Sequence, residues 1–415
     1  MAIDKATKIK IAFITIFFIA TFTAEFFYRP PLFNNSISIA QKIQKKFRFS
    51  IGFLQYYTEI PKNGYVFILF VLYFFPISYS YAFFAELMLG QHICNIFKLS
   101  FGSGRPYLMD NLDARTINEA CSAGYGNPSG HSFNATSTFL AFSQCIIDIW
   151  ELGYLSSTFI YILTAFFILL INFSRVLLGV HSIDQTIFGD TLGFCVFFII
   201  FHIIKPHKRE PKKFFENFLT LKYHVFNLIA LVVIIVYSLV TSIVFNREGE
   251  DDFEEMKENL KDLCPKAKDQ AILAHDCIYK SLYFTAYFGM VLGITILTKI
   301  VKKRYYSRYD ALNVYYKNTN IKWYFTYIIK LFVLGFCYLP YRTIEYRPDG
   351  INLYMIYIVG GAIPLFIYGF MLFGPHYIFI IAVKAANSEL YIPKLDDKSD
   401  KLNYKLDEEN DDNII

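Results

Sequence analysis

Long apolar stretches follow one another along most of this chain and are separated by short polar connections. The first three run from Ile11 to Phe27, from Tyr65 to Tyr79 and from Ala82 to Leu99. Each is close to the length of about 20 residues that a helix needs to cross a bilayer. A tight turn at Ser80 makes the second and third stretches separate crossings, and the alternative is one long helix broken at Pro76.

Seven more apolar stretches continue the pattern. They are His131 to Trp150, Tyr154 to Phe173, Thr186 to Ile204, Tyr223 to Phe245, Leu282 to Val301, Trp323 to Leu339 and Leu353 to Phe373. Because 55% of all residues are hydrophobic, the sequence predicts an all-α, polytopic membrane helical bundle of about ten transmembrane helices. The net charge of +5 gives no support to nucleic-acid binding, so no nucleic-acid partner is expected.

The chain divides into four predicted regions. Residues 1–64 form an N-terminal membrane anchor and an interfacial lumenal segment, 65–204 a catalytic helical bundle, 205–383 four additional transmembrane helices, and 384–415 a disordered cytoplasmic tail. A retained anchor fits the first stretch better than a signal peptide, because no small-x-small cleavage site follows it. From Ser38 to Phe53 apolar and basic residues interleave, which is typical of a helix in the membrane interface.

Charged connections set the predicted orientation. With the N-terminus in the cytoplasm, the basic segments that begin at Lys205 and Lys302 are cytoplasmic, as the positive-inside rule requires. The acidic segment that begins at Glu248 then lies on the lumenal or exterior side. The basic loop from Arg29 to Lys62 is the exception, since this topology also places it outside.

Two modifications are predicted on the lumenal side. Asn34 begins an Asn-Asn-Ser sequon and is a glycosylation candidate. Cys264 and Cys277 share the acidic lumenal loop, where an oxidising compartment permits a disulfide between them. The other cysteines show no metal-binding spacing.

Three polar islands at the ends of apolar stretches carry the candidate chemistry. They are Lys98 to Pro106, with Arg105 before the proline, then Pro128-Ser129-Gly130-His131, and then Ser174-Arg175 with His181, Asp184 and Gln185. Together they supply two histidines, two arginines and a lysine. Such a set suits a site that binds a dianionic phosphate and breaks its ester bond by attack of an imidazole.

The order and spacing of these islands, Lys-x6-Arg-Pro, Pro-Ser-Gly-His and Ser-Arg-x5-His, resemble the signature of the type-2 phosphatidic acid phosphatase superfamily. Within it, the chain looks most similar to the glucose-6-phosphatase branch, through the segment from Cys121 to His131, the acidic lumenal loop and the long helical tail. Leu108 and Met109 depart from that branch, which usually has aromatic residues at these positions.

The resemblance implies two catalytic histidines. His181 is the expected nucleophile and forms a phosphohistidine that water then hydrolyses. His131 is expected to protonate the leaving oxygen as a general acid and later to activate the hydrolytic water.

The remaining motif residues are expected to hold the phosphate. Lys98, Arg105 and Arg175 would bind its oxygens, and the backbone at Ser129 and Gly130 would add the amide groups of a helix start. These groups take the place of a neutralising cation, so neither a metal nor a cofactor is expected.

A nucleophilic histidine needs an acceptor on its other ring nitrogen. The superfamily usually has Asp four residues after the histidine, whereas Gln185 stands there in this chain and Asp184 lies one residue earlier. In a helix both residues share a face with His181, so either can be its partner.

The sequence therefore predicts a metal-independent membrane phosphomonoester hydrolase of the glucose-6-phosphatase type, in the endoplasmic reticulum with its site facing the lumen. Another endomembrane or the plasma membrane is the alternative location. The first alternative function is a lipid phosphate phosphatase, acting on phosphatidate or a sphingoid phosphate, and the second is a catalytically inactive subunit of a membrane complex. The expected partners are membrane lipids and a small phosphorylated substrate, with a phosphate-ester transporter or membrane complex as a further candidate.

Overall fold

The computed structural model describes residues 5–46, 77–109, 124–204, 220–244 and 280–305, together with positions 255, 256, 258, 259, 277, 366, 367, 369 and 370. These residues form helices and short connections, with no strand among them. The all-α prediction is therefore confirmed for this part of the chain. The stretch Trp323 to Leu339 and the tail 384–415 lie outside the described residues, as does most of Leu353 to Phe373, so the count of ten crossings stays a prediction.

Eight α-helices occur among the described residues. In chain order they are α1 (Lys5–Lys46), α2 (Ile77–Phe101), α3 (Pro106–Met109), α4 (Gly130–Trp150), α5 (Tyr154–Leu177), α6 (Ile183–Phe198), α7 (Leu221–Val244) and α8 (Phe284–Tyr305). A π-helix, Ile199–Ile204, continues α6 directly. Helices α2, α5 and α6 pack against α4, and α1 packs against α6.

Three helical segments of the described chain are long and apolar enough to cross a membrane, namely Lys5–Gln44, Tyr154–Leu177 and Ile183–Ile204. Helix α5 exposes a wide apolar face, with Leu155 at 82%, Phe159 at 66% and Leu169 at 66%. A face of this kind suits lipid rather than water as its neighbour. These helices indicate an integral membrane protein.

Helix α1 packs antiparallel along α6 through paired phenylalanines. Phe17 contacts Phe194 with ring centroids 5.5 Å apart, and Phe22 contacts Phe188 at 6.1 Å. At the far end, the Nζ of Lys10 donates to the carbonyl oxygen of His202 at 3.1 Å. These aromatic contacts at successive positions hold the two helices in one register.

The first predicted stretch ends too early. The sequence predicts a crossing from Ile11 to Phe27 and then a separate loop, but α1 continues through Pro30 and Pro31 to Lys46. At a rise of about 1.5 Å per residue, such a helix is roughly twice as long as the hydrocarbon core is thick. Its second half therefore extends beyond the membrane core, where the interfacial segment from Ser38 is predicted.

The predicted turn at Ser80 is also wrong. Helix α2 runs without interruption from Ile77 through Ser80 to Phe101. Ser78, Ser80 and Tyr79 are buried, so these polar side chains belong to a packed helix face and do not form a connection. The part of the second predicted stretch that precedes Pro76 lies outside the described residues.

Helices α4 and α6 approach closely because α6 carries glycines four residues apart. A Cβ added at Gly189 would lie 2.6 Å from the carbonyl oxygen of Ser129, and one at Gly193 would lie 2.7 Å from that of Phe133. Small residues at this spacing let two membrane helices pack backbone against backbone. This contact places the start of α6, and with it the third island, beside the start of α4.

We expect Gly193→Leu to lower the melting temperature of the detergent-solubilised protein. The added side chain meets the α4 backbone, and overpacking of this kind costs on the order of 2 kcal/mol. Gly153→Leu is the matched control, because a Cβ at Gly153 has no neighbour within 4 Å. Equal melting temperatures for the two variants would contradict the close α4–α6 contact.

Candidate active site

The first island joins α2 to α3 through a tight turn. Lys98 lies in the last turn of α2, and its Nζ donates to the carbonyl oxygen of Tyr125 at 2.7 Å. The chain turns at Gly102, whose φ of 55° lies in the left-handed region that glycine adopts without strain. Arg105 follows in the connection to α3 and is 3% exposed. Two cationic side chains are thus buried at the same end of the bundle.

The second island forms the start of α4. Ser129 is the N-cap, and its hydroxyl accepts a hydrogen bond from the backbone N–H of Ser132 at 3.3 Å. The amide of Ser129 donates to the carbonyl oxygen of Gln185 at 2.9 Å, so it is already engaged. The amides left to bind a phosphate oxygen, as predicted, are therefore those of Gly130 and the first turn of α4. His131 follows Gly130 and is half-buried.

The third island connects α5 to α6. Arg175 lies in the last turn of α5 and is 3% exposed. The chain then turns at Gly179, which has a φ of 68°, and reaches His181, which is 1% exposed. The backbone N–H of His181 donates to the carbonyl oxygen of Arg175 at 3.4 Å. The nucleophile candidate is therefore held in a short connection between two packed helices.

Arg105 links the islands to one another. Its Nε donates to the carbonyl oxygen of Gly124 at 2.7 Å, and its Nη1 donates to that of Val180 at 3.2 Å. The same Nη1 lies 3.2 Å from Nε2 of His181. One guanidinium group thus contacts the backbone before the second island, the backbone of the third island and the imidazole of His181.

His181 has a defined protonation pattern in this arrangement. Its Nε2 faces a guanidinium donor and therefore accepts, while its Nδ1 lies 3.1 Å from Oε1 of Gln185 and donates to it. Burial lowers the pKa of His181 well below its ordinary value, and the positive charges of Arg105 and Lys98 lower it further. Geometry and charge both favour a neutral imidazole with its lone pair on Nε2.

Gln185, and not Asp184, contacts the imidazole. Oε1 of Gln185 accepts from His181 Nδ1 and also from the backbone N–H of Ser182 at 3.3 Å, while its Nε2 donates to the carbonyl oxygen of Gly104 at 2.9 Å. Asp184 is fully buried, and within the described structure neither carboxylate oxygen has a hydrogen-bond partner. The sequence held a signal for this outcome, because Ser182 and Gln185 have the spacing of a capping box.

All five predicted cationic and imidazole groups lie together. The charges of Lys98, Arg105, Arg175 and His131 all act on His181. The side chain of Lys98 also approaches the second island, since a Cβ at Gly130 would lie 3.8 Å from its Cε. The three islands therefore form one site. Among the described residues, no group of three or more His, Cys, Asp or Glu side chains is placed to hold a metal ion.

Two polar residues beside the site escaped the sequence reasoning. Glu25 of α1 is fully buried, and one of its oxygens accepts from Nδ2 of Asn127, directly before the second island, at 2.6 Å. The available signal was a single acidic residue within a long apolar stretch, because ionisable groups in membrane helices usually have a functional partner.

The predicted modifications are placed only in part. Asn34 lies exposed on α1, whereas Ser36 of the same sequon is 1% exposed. Cys277 is buried, and Cys264 lies outside the described residues. Glycosylation at Asn34 and the disulfide both stay predictions.

Comparisons with known proteins find two similarities. Residues 77–209 match the model of the PAP2 superfamily. The chain is also similar to phosphatidylglycerophosphatase B from Bacillus subtilis (strain 168), with 32% identity over 88 residues, which is 21% of this chain and 42% of that protein. The chain therefore covers less than half of that relative. No solved structure matches the chain significantly. The segment 77–209 contains all three islands. Neither comparison identifies the glucose-6-phosphatase branch in particular.

We expect Gln185→Glu to raise the pKa of His181. A carboxylate on Nδ1 favours the imidazolium form, so the pKa moves up toward the ordinary value of about 6.5 or beyond. Titration of ¹³C-labelled histidine by NMR measures the change, with His181→Asn identifying the signal. Asp184→Asn is the matched control and should leave this pKa nearly unchanged. A large change with Asp184→Asn and none with Gln185→Glu would assign the partner role to Asp184.

Proposed function

We propose that this chain is a membrane-bound phosphomonoester hydrolase that works through a phosphohistidine at His181. The observation that carries the proposal is the buried line of contacts from Arg105 to Nε2 of His181 and from Nδ1 to Gln185. It presents a neutral imidazole, with its lone pair held toward a phosphate-binding cation, inside a site built from all three islands. The PAP2 superfamily match supports the same class of chemistry.

The first chemical step follows from the protonation pattern. The lone pair on Nε2 of His181 attacks phosphorus, and the bond from phosphorus to the ester oxygen breaks. The leaving oxygen takes a proton from His131, which lies at the start of α4 on the opposite island. His131 then accepts a proton from the water that attacks the phosphohistidine, and phosphate leaves with Nε2 restored.

Charge stabilisation comes from the cations around the nucleophile. Lys98, Arg105 and Arg175 are buried, so their attraction for phosphate oxygens is screened less than it would be in water. Nη1 of Arg105 lies 3.2 Å from Nε2 of His181. A phosphate oxygen is a stronger acceptor than this nitrogen, so binding draws the guanidinium away and frees the lone pair.

Gln185 keeps the imidazole ring in place during this exchange. Its amide is fixed at both ends, by His181 and Ser182 on one side and by Gly104 on the other. The amide oxygen stabilises the imidazolium of the intermediate less than the usual carboxylate does. We infer that the phosphohistidine is less stabilised here than in superfamily members with Asp at this position.

Two substrate classes fit the site. A lipid phosphate is favoured by the similarity to phosphatidylglycerophosphatase B, whose name gives a lipid phosphate as its substrate. Glucose 6-phosphate is the second candidate and rests on the segment from Cys121 and on the long helical tail, most of which lies outside the described residues. A catalytically inactive subunit is the third reading, and the joint placement of the five cationic and imidazole groups speaks against it.

Two contacts along α1 support a proposal for the orientation of the site. Its basic N-terminal turns, including Lys10, lie beside the end of the helix that continues α6, whereas its Glu25 lies beside the islands. The basic end belongs in the cytoplasm by the positive-inside rule. We therefore propose that the site faces the lumen of the endoplasmic reticulum or an equivalent exterior compartment.

The purified protein should release phosphate from at least one monoester, and His181→Ala should remove more than about 10³-fold of that activity. Phosphatidate, sphingosine phosphate, phosphatidylglycerophosphate and glucose 6-phosphate are assayed in parallel, and acid-labile ³²P on the protein is measured by rapid quench. Release from lipids alone supports the lipid class, and release from the sugar phosphate alone supports the glucose-6-phosphatase class. Turnover that survives His181→Ala would contradict the proposal.

A further inference from the structure

Helix α1 contacts each of the three islands with a different polar side chain. Glu25 accepts from Asn127, which precedes the second island, at 2.6 Å. Arg29 donates to the hydroxyl of Ser103 in the first island. The hydroxyl of Ser36 accepts from the backbone N–H of Ile183, in the third island, at 2.8 Å.

The spacing of these residues places them on one side of α1. Glu25 and Arg29 are four residues apart, and Ser36 follows seven residues later, so all three lie within the same helical stripe. Gln44 extends the stripe, because its Nε2 donates to the carbonyl oxygen of Leu177 at 2.9 Å. This stripe, Glu25 to Gln44, is continuous with the aromatic contact to α6 and is therefore held in a fixed register.

The hydrogen bond between Glu25 and Asn127 is buried, so its loss is expected to be costly. Glu25 and Asn127 are both fully buried, and a buried carboxylate without a partner is costly. The amide hydrogen bond satisfies one oxygen of Glu25, and Arg29 lies close enough for its charge to attract the same carboxylate. Loss of Glu25 would leave Asn127 without its acceptor directly before Pro128 and the N-cap of α4.

We propose that α1 helps to form the phosphate site and that Glu25 is a positioning residue. Through its hydrogen bond to Asn127, Glu25 fixes the position of His131. The proposal rests on the proposed phosphohydrolase function of the same site. The hydrogen bond fixes the backbone that enters α4, and this backbone sets the distance between His131 and the leaving oxygen. Arg29 and Ser36 fix the other two islands against the same helix.

The chemistry of the pair gives a direct test by exchange of donor and acceptor. Glu25→Leu removes the acceptor and should lower kcat by about tenfold or more, with KM changed much less, because misplaced catalytic groups affect the chemical step. Asn127→Asp sets two carboxylates against each other and should cause a similar loss. In the double variant Glu25→Gln with Asn127→Asp, the amide donates to the carboxylate, and kcat should return to within about threefold of wild type.

Asn35→Ala, on the exposed side of α1, is the control and should leave kcat unchanged.

Two further measurements separate this proposal from the proposed function. Binding of orthovanadate, followed by calorimetry, reports on the phosphate site without turnover and should weaken in Asn127→Asp and recover in the double variant. Melting temperatures show whether a variant is folded, and if Glu25→Leu does not fold, the exchange pair decides. A folded double variant that recovers neither kcat nor vanadate binding would overturn the positioning role. A wild-type protein without His181-dependent turnover would instead refute the proposed function, and the vanadate measurements would still decide the role of α1.

Discussion

The site depends on a neutral imidazole held in a buried, positively charged place. Burial and the charge of Arg105 keep His181 unprotonated, and the amide of Gln185 fixes which nitrogen carries the lone pair. Glycines in the connections and in α6 help to position these residues. The turn at Gly102 leads from α2 to Arg105, the turn at Gly179 leads from α5 to His181, and the glycines of α6 bring its start beside that of α4.

The sequence predicted the site better than its surroundings. Motif spacing predicted that Lys98, Arg105 and His181 lie close together, and the structure places them so. Gln185 was left open against Asp184, since both share a helical face with His181. The choice depends on the capping geometry at Ser182, which draws the Gln185 side chain back over the helix start.

The boundaries of helices were harder to predict. The first stretch was predicted to end at Phe27, where the apolar run ends, yet α1 continues through Pro30 and Pro31. Contacts with the islands, such as that of Ser36 with Ile183, hold its second half in place. In the same way, Ser80 indicated a turn, but it is buried within a continuous α2. Local propensity was outweighed in both places by packing that only the folded bundle provides.

The partner of the imidazole in this site is a neutral amide, that of Gln185, and not a carboxylate. An amide can orient the imidazole through three fixed contacts, but it adds no charge to oppose the imidazolium. The carboxylates near the site, Glu25 and Asp184, have other surroundings: Glu25 bonds to Asn127, and Asp184 is buried beside Ser182. Neither carboxylate is the partner of Nδ1 of His181, which lies against the amide oxygen of Gln185.

A structure of the protein with orthovanadate, by cryo-electron microscopy, tests this account most directly. Vanadate adopts the five-coordinate geometry of phosphoryl transfer. The account predicts vanadium bonded to Nε2 of His181, Arg105 turned from the imidazole to an equatorial oxygen, and Gln185 still on Nδ1. Vanadate bound away from His181, or Asp184 in place of Gln185 on the imidazole, would contradict it.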